Sequence, residues 1–364
     1  MKNNLRSFNK GIFWIVFLLV VFGIVMISSA SAVLSYERFE STNVYFFRQL
    51  SFAAVGLVLM YVFSRLDYLV LKKYSVFILA GAAVLLGLVL IPGIGVEFTG
   101  SRRWIDLGFT NLQPSEFAKP ALIFFLAAWF DTRAERVKSF YYGLLPPLAI
   151  TAVIAFLILL EPDFGSMSAL VLVAVSIFFA AGVKGKHLIM FAVAAVLVSV
   201  IAIQAAPYRM ARITSFVDPS SDPLGAGYQI NQARLAVGSG GFWGQGFGYS
   251  RQKFSFLPEP IGDSIFAVIS EELGFLRVSF VLILFLILFL LGYKAASKAP
   301  DAFGKYTAVG ITSWFMIQTI FNVGAMIGFL PLTGIPLPFI SYGGSAMVSS
   351  LIGAGVLLNI SRWK

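Results

Sequence analysis

The chain has 364 residues, 59% of them hydrophobic and 12% charged, with a mean hydropathy of +0.87. So little polar surface cannot cover a soluble globule, and the composition describes a polytopic membrane protein. The net charge of +10 is what orienting loop cations contribute and does not indicate nucleic acid; zero cysteines exclude disulfides and thiolate chemistry.

In chain order, apolar segments near the ~20-residue spanning length fall at 11–34, 45–64, 74–92, 117–130, 143–160, 165–183, 187–206, 264–292, 306–330 and 343–361. Backbone groups in lipid must be satisfied within the segment, so the predicted fold is all-α with ten transmembrane helices. The fourth segment is the weakest, because Lys119 and Pro120 interrupt it. At the first, Ala30-Ser31-Ala32 imitates a signal-peptidase site, but the apolar run exceeds a usual signal core, and a retained helix is expected. His187, beside Lys184 and Lys186, reads as a surface or interfacial residue.

With the N-terminus inside, sixteen of the 27 lysines and arginines fall on short inner loops and tails. The positive-inside rule then places both termini in the cytoplasm and the long loop 207–262, between helices 7 and 8, outside. No repeat, low-complexity tract or soluble domain interrupts the chain, so residues 1–364 read as one membrane-embedded unit.

Three outer segments carry the polar chemistry. The first, 93–119, holds Arg102, Arg103 and Gln113, then Ser115 and Glu116, either of which could cap the fourth helix behind Pro114. Glu116 and Lys119 are three apart, hence on one helical face, and a lysine within an apolar helix usually faces an interior and a partner. A cavity-lining pair and a purely structural pair both fit. The second segment is the tight turn Glu161–Gly165, where the carboxylates are solvated caps, or Asp163 faces the site or pairs with Lys119 or Arg103.

The third segment runs from Gly227 to Gly274 and is the longest stretch that is not plainly hydrophobic. Its glycines do not follow the dinucleotide-binding spacing and no strand precedes them; they suit an irregular loop with close backbone approaches. Asp263 falls at or near the start of the eighth helix. It is either an N-cap or a carboxylate at a hydrophobic mouth, where its pKa can be tuned for base chemistry. Glu271 and Glu272 lie deeper and read as packing residues.

Six motifs in order now identify a resemblance: GSRRWIDLG, NLQPSEFAK, EPDFGS, GYQINQARLAVGSGGFWGQG, GYSRQKFSFLPEPIGDSIFAVISEELG and PLTGIPLPFISYGGS. The chain resembles the SEDS family (shape, elongation, division and sporulation) from Arg48 through nearly its whole length, and its LPEP, PDFG and PLTGIPLPFISYGGS look more like the FtsW division branch than the RodA elongation branch. One departure is local: Ile261-Gly262 and Ser264 replace the family's His-Thr and Phe around the aspartate.

The resemblance implies ten helices, both ends cytoplasmic, and polymerisation of lipid II into glycan strands at the outer face of the cytoplasmic membrane, with the division septum as location. It implies a class B penicillin-binding transpeptidase and divisome membrane proteins as partners. Asp263 would be the general base, and the substrate-binding candidates are Arg48, Arg102, Arg103, Gln113, Ser115, Glu116, Lys119, Asp163, Arg251 and Ser341. No cofactor and no dedicated metal site is expected; a Mg or Mn ion could accompany the pyrophosphate. Two other readings are a lipid II flippase or transporter and a non-catalytic division scaffold. Against transport stands the absence of an inverted repeat with paired broken helices.

Overall fold

The structure, a computed structural model, describes residues 9–98, 101–108, 110–137, 139–219, 225–254 and 256–362. Lys2, Arg6, Lys138 and Lys364, four of the cations used for the orientation, lie outside the described residues, as do parts of the outer loop. Each of the ten apolar segments is helical. In chain order the helices are α1 (Lys10–Ala30), α2 (Ala32–Phe39), α3 (Val44–Arg65), α4 (Leu69–Val89), α5 (Pro114–Thr132), α6 (Leu145–Leu160), α7 (Phe164–Ala180), α8 (Gly185–Gln204), α9 (Pro207–Val217), α10 (Ala226–Ser239), α11 (Ile265–Ser297), α12 (Ala302–Met326) and α13 (Gly344–Ile360).

Among the described residues, seven helices are long and apolar enough to cross a membrane: α1, α3, α4, α6 with its leading π-helical turn, α8, α11 and α12. α7 and α13 are shorter apolar helices of 17 residues. α5 runs from Pro114 to Thr132, longer than its apolar core suggests, because Pro114 starts it and Pro120 does not end it.

Two features depart from the all-α, loop-only expectation. A small antiparallel sheet, β1 (Gly95–Phe98), β2 (Ser101–Asp106) and β3 (Asn111–Leu112), occupies the segment before α5. The residues of β2, Ser101-Arg102-Arg103-Trp104-Ile105-Asp106, show no alternation of apolar and polar side chains, so nothing local marks it as a strand. The outer loop itself contains α9 and α10, whose mixed polar and apolar faces lack the uniform grease of a span.

α5 and α12 form the centre, both buried along most of their length, whereas α8 buries only Ala202 and faces outward. The pairs α3–α13, α11–α12, α4–α5 and α12–α7 make the main interfaces. Close approach sets them: a Cβ at Gly355 would lie 2.6 Å from the Met60 carbonyl of α3. α1 is built into this bundle, with Ile12, Val16, Leu19, Val20 and Ile27 fully buried.

The helix ends sort onto two faces. On one, the Asn359 amide donates to the Phe63 and Ser64 carbonyls at 3.1 Å, and the Asn9 N–H donates to Ser361 Oγ at 3.4 Å. Lys72 of α4 pairs with Asp131 of α5, which also accepts the Phe303 N–H of α12. The described ends of the chain therefore share this termini face with the starts of α4 and α12. Asp263 lies at the other.

α11 is two helices joined at a break. Gly274 has φ 74° and ψ 175°, and there the outer loop inserts its backbone. The Gln245 and Gly246 N–H groups donate to the Glu271 and Glu272 carbonyls at 2.9 and 3.0 Å. The Phe275 and Leu276 N–H groups turn instead to the loop and donate to the carbonyls of Gly241 and Phe242 at 2.9 and 3.3 Å. Two helical bonds are exchanged for four between loop and helix, so the break leaves none of these groups orphaned. Glycine is required for it: a Cβ at Gly274 would sit 2.2 Å from the Gly244 nitrogen.

Gly274→Ala therefore lowers the thermal midpoint of the purified protein in detergent and loosens the outer loop to proteolysis. Gly87→Ala in α4, where nothing lies within 4 Å of the added methyl, gains about 0.5–1 kcal/mol from helix propensity. Equal midpoints for the two variants would show that the break carries no stability.

Candidate functional site

Asp263 sits one residue before the helical cap. Ser264 is the N-cap of α11, and no side-chain cap bond is made there. The turn Glu259–Ser264 is closed by the Gly262 and Ser264 N–H groups, both donating to the Glu259 carbonyl at 3.1 and 3.2 Å. Asn322 of α12, itself buried, clamps it from below, donating to the Asp263 carbonyl at 2.7 Å and to the Ile335 carbonyl at 2.9 Å. The backbone is thus fixed while the carboxylate remains free of capping work.

That carboxylate is partly exposed, and groups that the sequence does not single out surround it. The Gln229 side chain of α10 hydrogen-bonds to it and also donates to Ser264 Oγ at 3.1 Å. Arg212 of α9 approaches from the other side, and Asp263 Oδ2 and Arg212 Nη1 both face Gly334, 3.8 and 3.9 Å from where its Cβ would be. Burial pushes the Asp263 carboxyl up to about 6, Glu259 adds to the shift, and Arg212 and Gln229 oppose it. A base at that value is roughly nine-tenths ionised at pH 7, yet more basic than an ordinary carboxylate.

Gln229 lies inside one of the six motifs, and Arg212 follows Arg209 in a short amphipathic stretch. Both signals are readable, but only the folded loop brings them to Asp263. Ile261 and Ser264, the departures around the aspartate, have structural uses here. Ile261 is buried and its carbonyl accepts the Tyr342 N–H at 2.8 Å, while Ser264 receives Gln229.

The segment 331–345 links most of the remaining candidates. The Leu332 carbonyl accepts from Arg212 at 3.3 Å, and Gly165 of the α6–α7 turn packs directly on the Thr333 carbonyl. Ser341 is buried, its hydroxyl accepting the Leu337 N–H at 2.8 Å, and its carbonyl accepts from Gln49 at 3.1 Å. Arg48, exposed, hydrogen-bonds Tyr342 and lies 5.3 Å from the Phe39 ring centre. The Gln113 N–H donates to Ser345 Oγ at 2.9 Å. Asp263, Arg48, Gln113 and Ser341 therefore border one segment, and Asp163 stands two residues before Gly165, which packs against that segment. Arg102 instead faces Glu97 at 3.3 Å on the sheet.

Within α5, Glu116 and Lys119 form a fully buried pair, Nζ to Oε1 2.6 Å, with the ammonium 5.5 Å from the Trp314 ring centre. Glu116 Oε2 and Ser115 Oγ have no partner among the described residues, and Ser115 does not cap the helix. Polar capacity is left over around this pair, as a site for a polar ligand would require. On the loop side, Glu271 accepts from Ser250 Oγ at 2.5 Å and from the Arg251 and Gln252 N–H groups at 2.9 and 3.3 Å. Glu272 pairs with buried Lys253 at 2.8 Å, and Ser29 of α1 donates to it at 2.6 Å. These two acids lash the outer loop to the bundle; Arg251 itself is exposed.

The turn between α6 and α7 corrects one expectation. Asp163 is an N-cap, accepting the Ser166 N–H at 2.9 Å, but Glu161 is fully buried and not a solvated cap. Arg103 reaches the turn through carbonyls, those of Glu161 at 3.1 Å and of Pro162, and makes no ion pair with Asp163 or Glu161 among the described residues. Neither Glu161 carboxyl oxygen has a hydrogen-bond partner among them. Burial, with Asp163 adding and Arg103 opposing, pushes this carboxyl up to about 9.

A raised carboxyl favours the folded state while protonated, so its contribution is lost as pH rises from the unfolded value toward about 9. Glu161→Gln, neutral at every pH, should match wild type near pH 5 and exceed its thermal midpoint increasingly up to pH 9. A midpoint difference that does not change with pH would mean Glu161 is ionised in the folded protein.

Known proteins match this chain over nearly its whole length. A family model described as a cell cycle protein, joining FtsW, RodA and SpoVE, matches residues 10–364. Stage V sporulation protein E of Bacillus subtilis is 42% identical over 349 residues, covering 96% of this chain and 95% of that protein. A probable peptidoglycan glycosyltransferase FtsW of Legionella pneumophila is 39% identical over 366 residues, covering 98% and 92%. Among solved structures, a chain from a peptidoglycan synthase complex that coordinates polymerization and crosslinking superposes with TM-score 0.81 at 27% identity, covering 98% of both chains. The rod shape determining protein RodA of Thermus thermophilus superposes with TM-score 0.73 at 25% identity over 98% of each. The chain belongs to the FtsW, RodA and SpoVE family of cell cycle proteins.

Proposed function

We propose that this protein polymerises lipid II with Asp263 as the general base, at a site on the outer face of the cytoplasmic membrane. The enzyme class follows from the family and from relatives about 40% identical over nearly the whole chain that are named peptidoglycan glycosyltransferases. The observation that carries the residue assignment is the uncapped, partly exposed Asp263 carboxylate, raised by burial and flanked by Arg212 and Gln229.

The chemistry fits one carboxylate. The donor sugar is carried on a pyrophosphate, a good leaving group that needs no proton, so the paired acid of a glycosidase is unnecessary. Asp263 takes the proton of the acceptor 4-hydroxyl as its oxygen bonds to the donor anomeric carbon. The bond from that carbon to the pyrophosphate breaks on the opposite face, with inversion. Arg212 keeps Asp263 ionised at neutral pH against the burial that would protonate it. Exposed Arg48 and Arg251 are the candidates to hold pyrophosphate oxygens, while Lys119 and Glu116 line the apolar interior below.

No three His, Asp or Glu side chains gather as a cation cage among the described residues. A Mg or Mn ion would therefore arrive with the pyrophosphate and take its ligands chiefly from it, leaving Asp263 free for the acceptor hydroxyl. The ten apolar helices all span in this reading, and both termini are cytoplasmic. Support for that orientation is the gathering of Lys10, Arg65, Lys72, Lys73, Arg133 and Arg362 at the termini face. The superposition on a chain of a peptidoglycan synthase complex supports a penicillin-binding transpeptidase as partner, and the FtsW relatives support work at the division septum within the divisome.

Asp263→Asn keeps shape and hydrogen bonding, so it should insert and fold normally yet lose ~10²–10⁴ in lipid II polymerisation. Wild-type turnover should fall as pH drops through about 6, where the base becomes protonated. Near-normal glycan synthesis by Asp263→Asn would remove Asp263 from the chemistry. For topology, Tyr249→Cys in this cysteine-free chain should react with an impermeant reagent from outside the cell and Ser297→Cys should not; outside labelling of Ser297→Cys reverses the orientation.

A further inference from the structure

At the termini face, far from Asp263, α4 and α5 enclose a groove of about 420 Å³. α4 contributes Lys72, Lys73 and Val76, and α5 contributes Phe125 and Trp129, with Arg133 at its C-cap. Its two halves differ in chemistry: three cations gather at one end, and an apolar wall continues along the helices at the other.

The cations are not equivalent. Lys72 is already neutralised by Asp131. Lys73 and Arg133 form no ion pair among the described residues, which leaves two positive charges without a paired carboxylate there. Arg133 is held in place, its guanidinium 3.8 Å from the Trp129 ring centre. The Trp129 ring is itself fixed, because its Nε1–H donates to the Gly143 carbonyl at 3.0 Å. A guanidinium stacked on an anchored indole is pre-organised for a phosphate or carboxylate.

The apolar half decides between ligands. Val76 is 59% exposed and opens the groove to the outer perimeter of the bundle. A small anion would use the cations and leave this wall idle, whereas a phosphate carrying a hydrocarbon tail uses both. In the orientation proposed above this face is cytoplasmic, where basic pockets between helices suit anionic lipid head groups. We propose that the α4–α5 groove is a binding site for an anionic phospholipid of the inner leaflet, its phosphate held between Lys73 and Arg133 and its acyl chain lying along Val76 and Phe125.

The test is native mass spectrometry of the purified full-length protein in detergent, titrated with phosphatidylglycerol, with phosphatidylethanolamine, and with inorganic phosphate as competitor. Wild type should retain phosphatidylglycerol in preference to the zwitterionic lipid, and millimolar phosphate should not displace it. K73Q/R133Q should weaken retention by roughly 25-fold, about fivefold for each basic charge. The charge-keeping K73R, which leaves the stacked Arg133 in place, should retain the lipid. If K73Q/R133Q does not fold, the single change K73Q at an exposed lysine should still weaken retention about fivefold. Equal retention of both lipids, displacement by phosphate alone, or wild-type retention by K73Q/R133Q would overturn the assignment.

Discussion

The rest of the face that carries Asp263 depends on the interruption of α11 at Gly274. A continuous helix would keep the Glu271 and Glu272 carbonyls for its own amides, and the outer loop would have only side chains to hold it. The break turns both stretches of backbone into mutual partners, and four hydrogen bonds replace two. In a lipid-embedded helix an open break would be costly, since unpaired groups there have no water to turn to. Gly274 tolerates the positive φ, and Gly240 and Gly244 let the loop come close enough to bond. The short helical piece before the break carries Asp263 at its mouth, so the loop anchor and the site belong to one construction.

Around that mouth, carboxylates of similar intrinsic acidity meet different fates. Glu271 and Glu272 are buried with hydrogen-bond donors and a lysine, and their charge is spent on holding the loop. Glu161 is buried without a donor among the described residues, and its carboxyl is pushed far up. Asp263 stands between these extremes, with burial and Glu259 on one side and Arg212 and Gln229 on the other. Of these four, Asp263 alone combines a raised carboxyl with access from outside. Desolvation sets the direction for both raised groups, and the number of nearby donors sets how far each moves.

The segment 331–345 is the common floor of the site. It is irregular, with Gly334 and Phe339 at positive φ, yet its backbone is bonded from α3, α9 and α12, and it bonds in turn to the turn before α11. Irregular backbone at this depth is tolerable where protein surrounds it. Because so many elements converge on one segment, a change at Asn322 or Gln49 would move several site residues together.

Much of this is legible in the chain. Apolar runs near 20 residues specify helices because backbone bonding in lipid allows little else, and all ten runs are helical. The three-residue spacing of Glu116 and Lys119 puts them on one face, and a buried pair is what forms. Asp263 at the start of its helix, and the outer motifs as a group, are also readable from local sequence. The break at Gly274 is not, because a glycine in an apolar run looks the same whether or not a distant loop bonds beside it. Nor is the burial of Glu161, since a Glu-Pro-Asp turn reads as solvated until Arg103 and the neighbouring segment close over it. Arg212 and Gln229 reach Asp263 across 51 and 34 positions of chain, a meeting set by how α9 and α10 fold back over the bundle. Local composition and spacing determine which segments are helical and which residues can ionise; which of those residues meet, and how much water they keep, is decided only by tertiary packing.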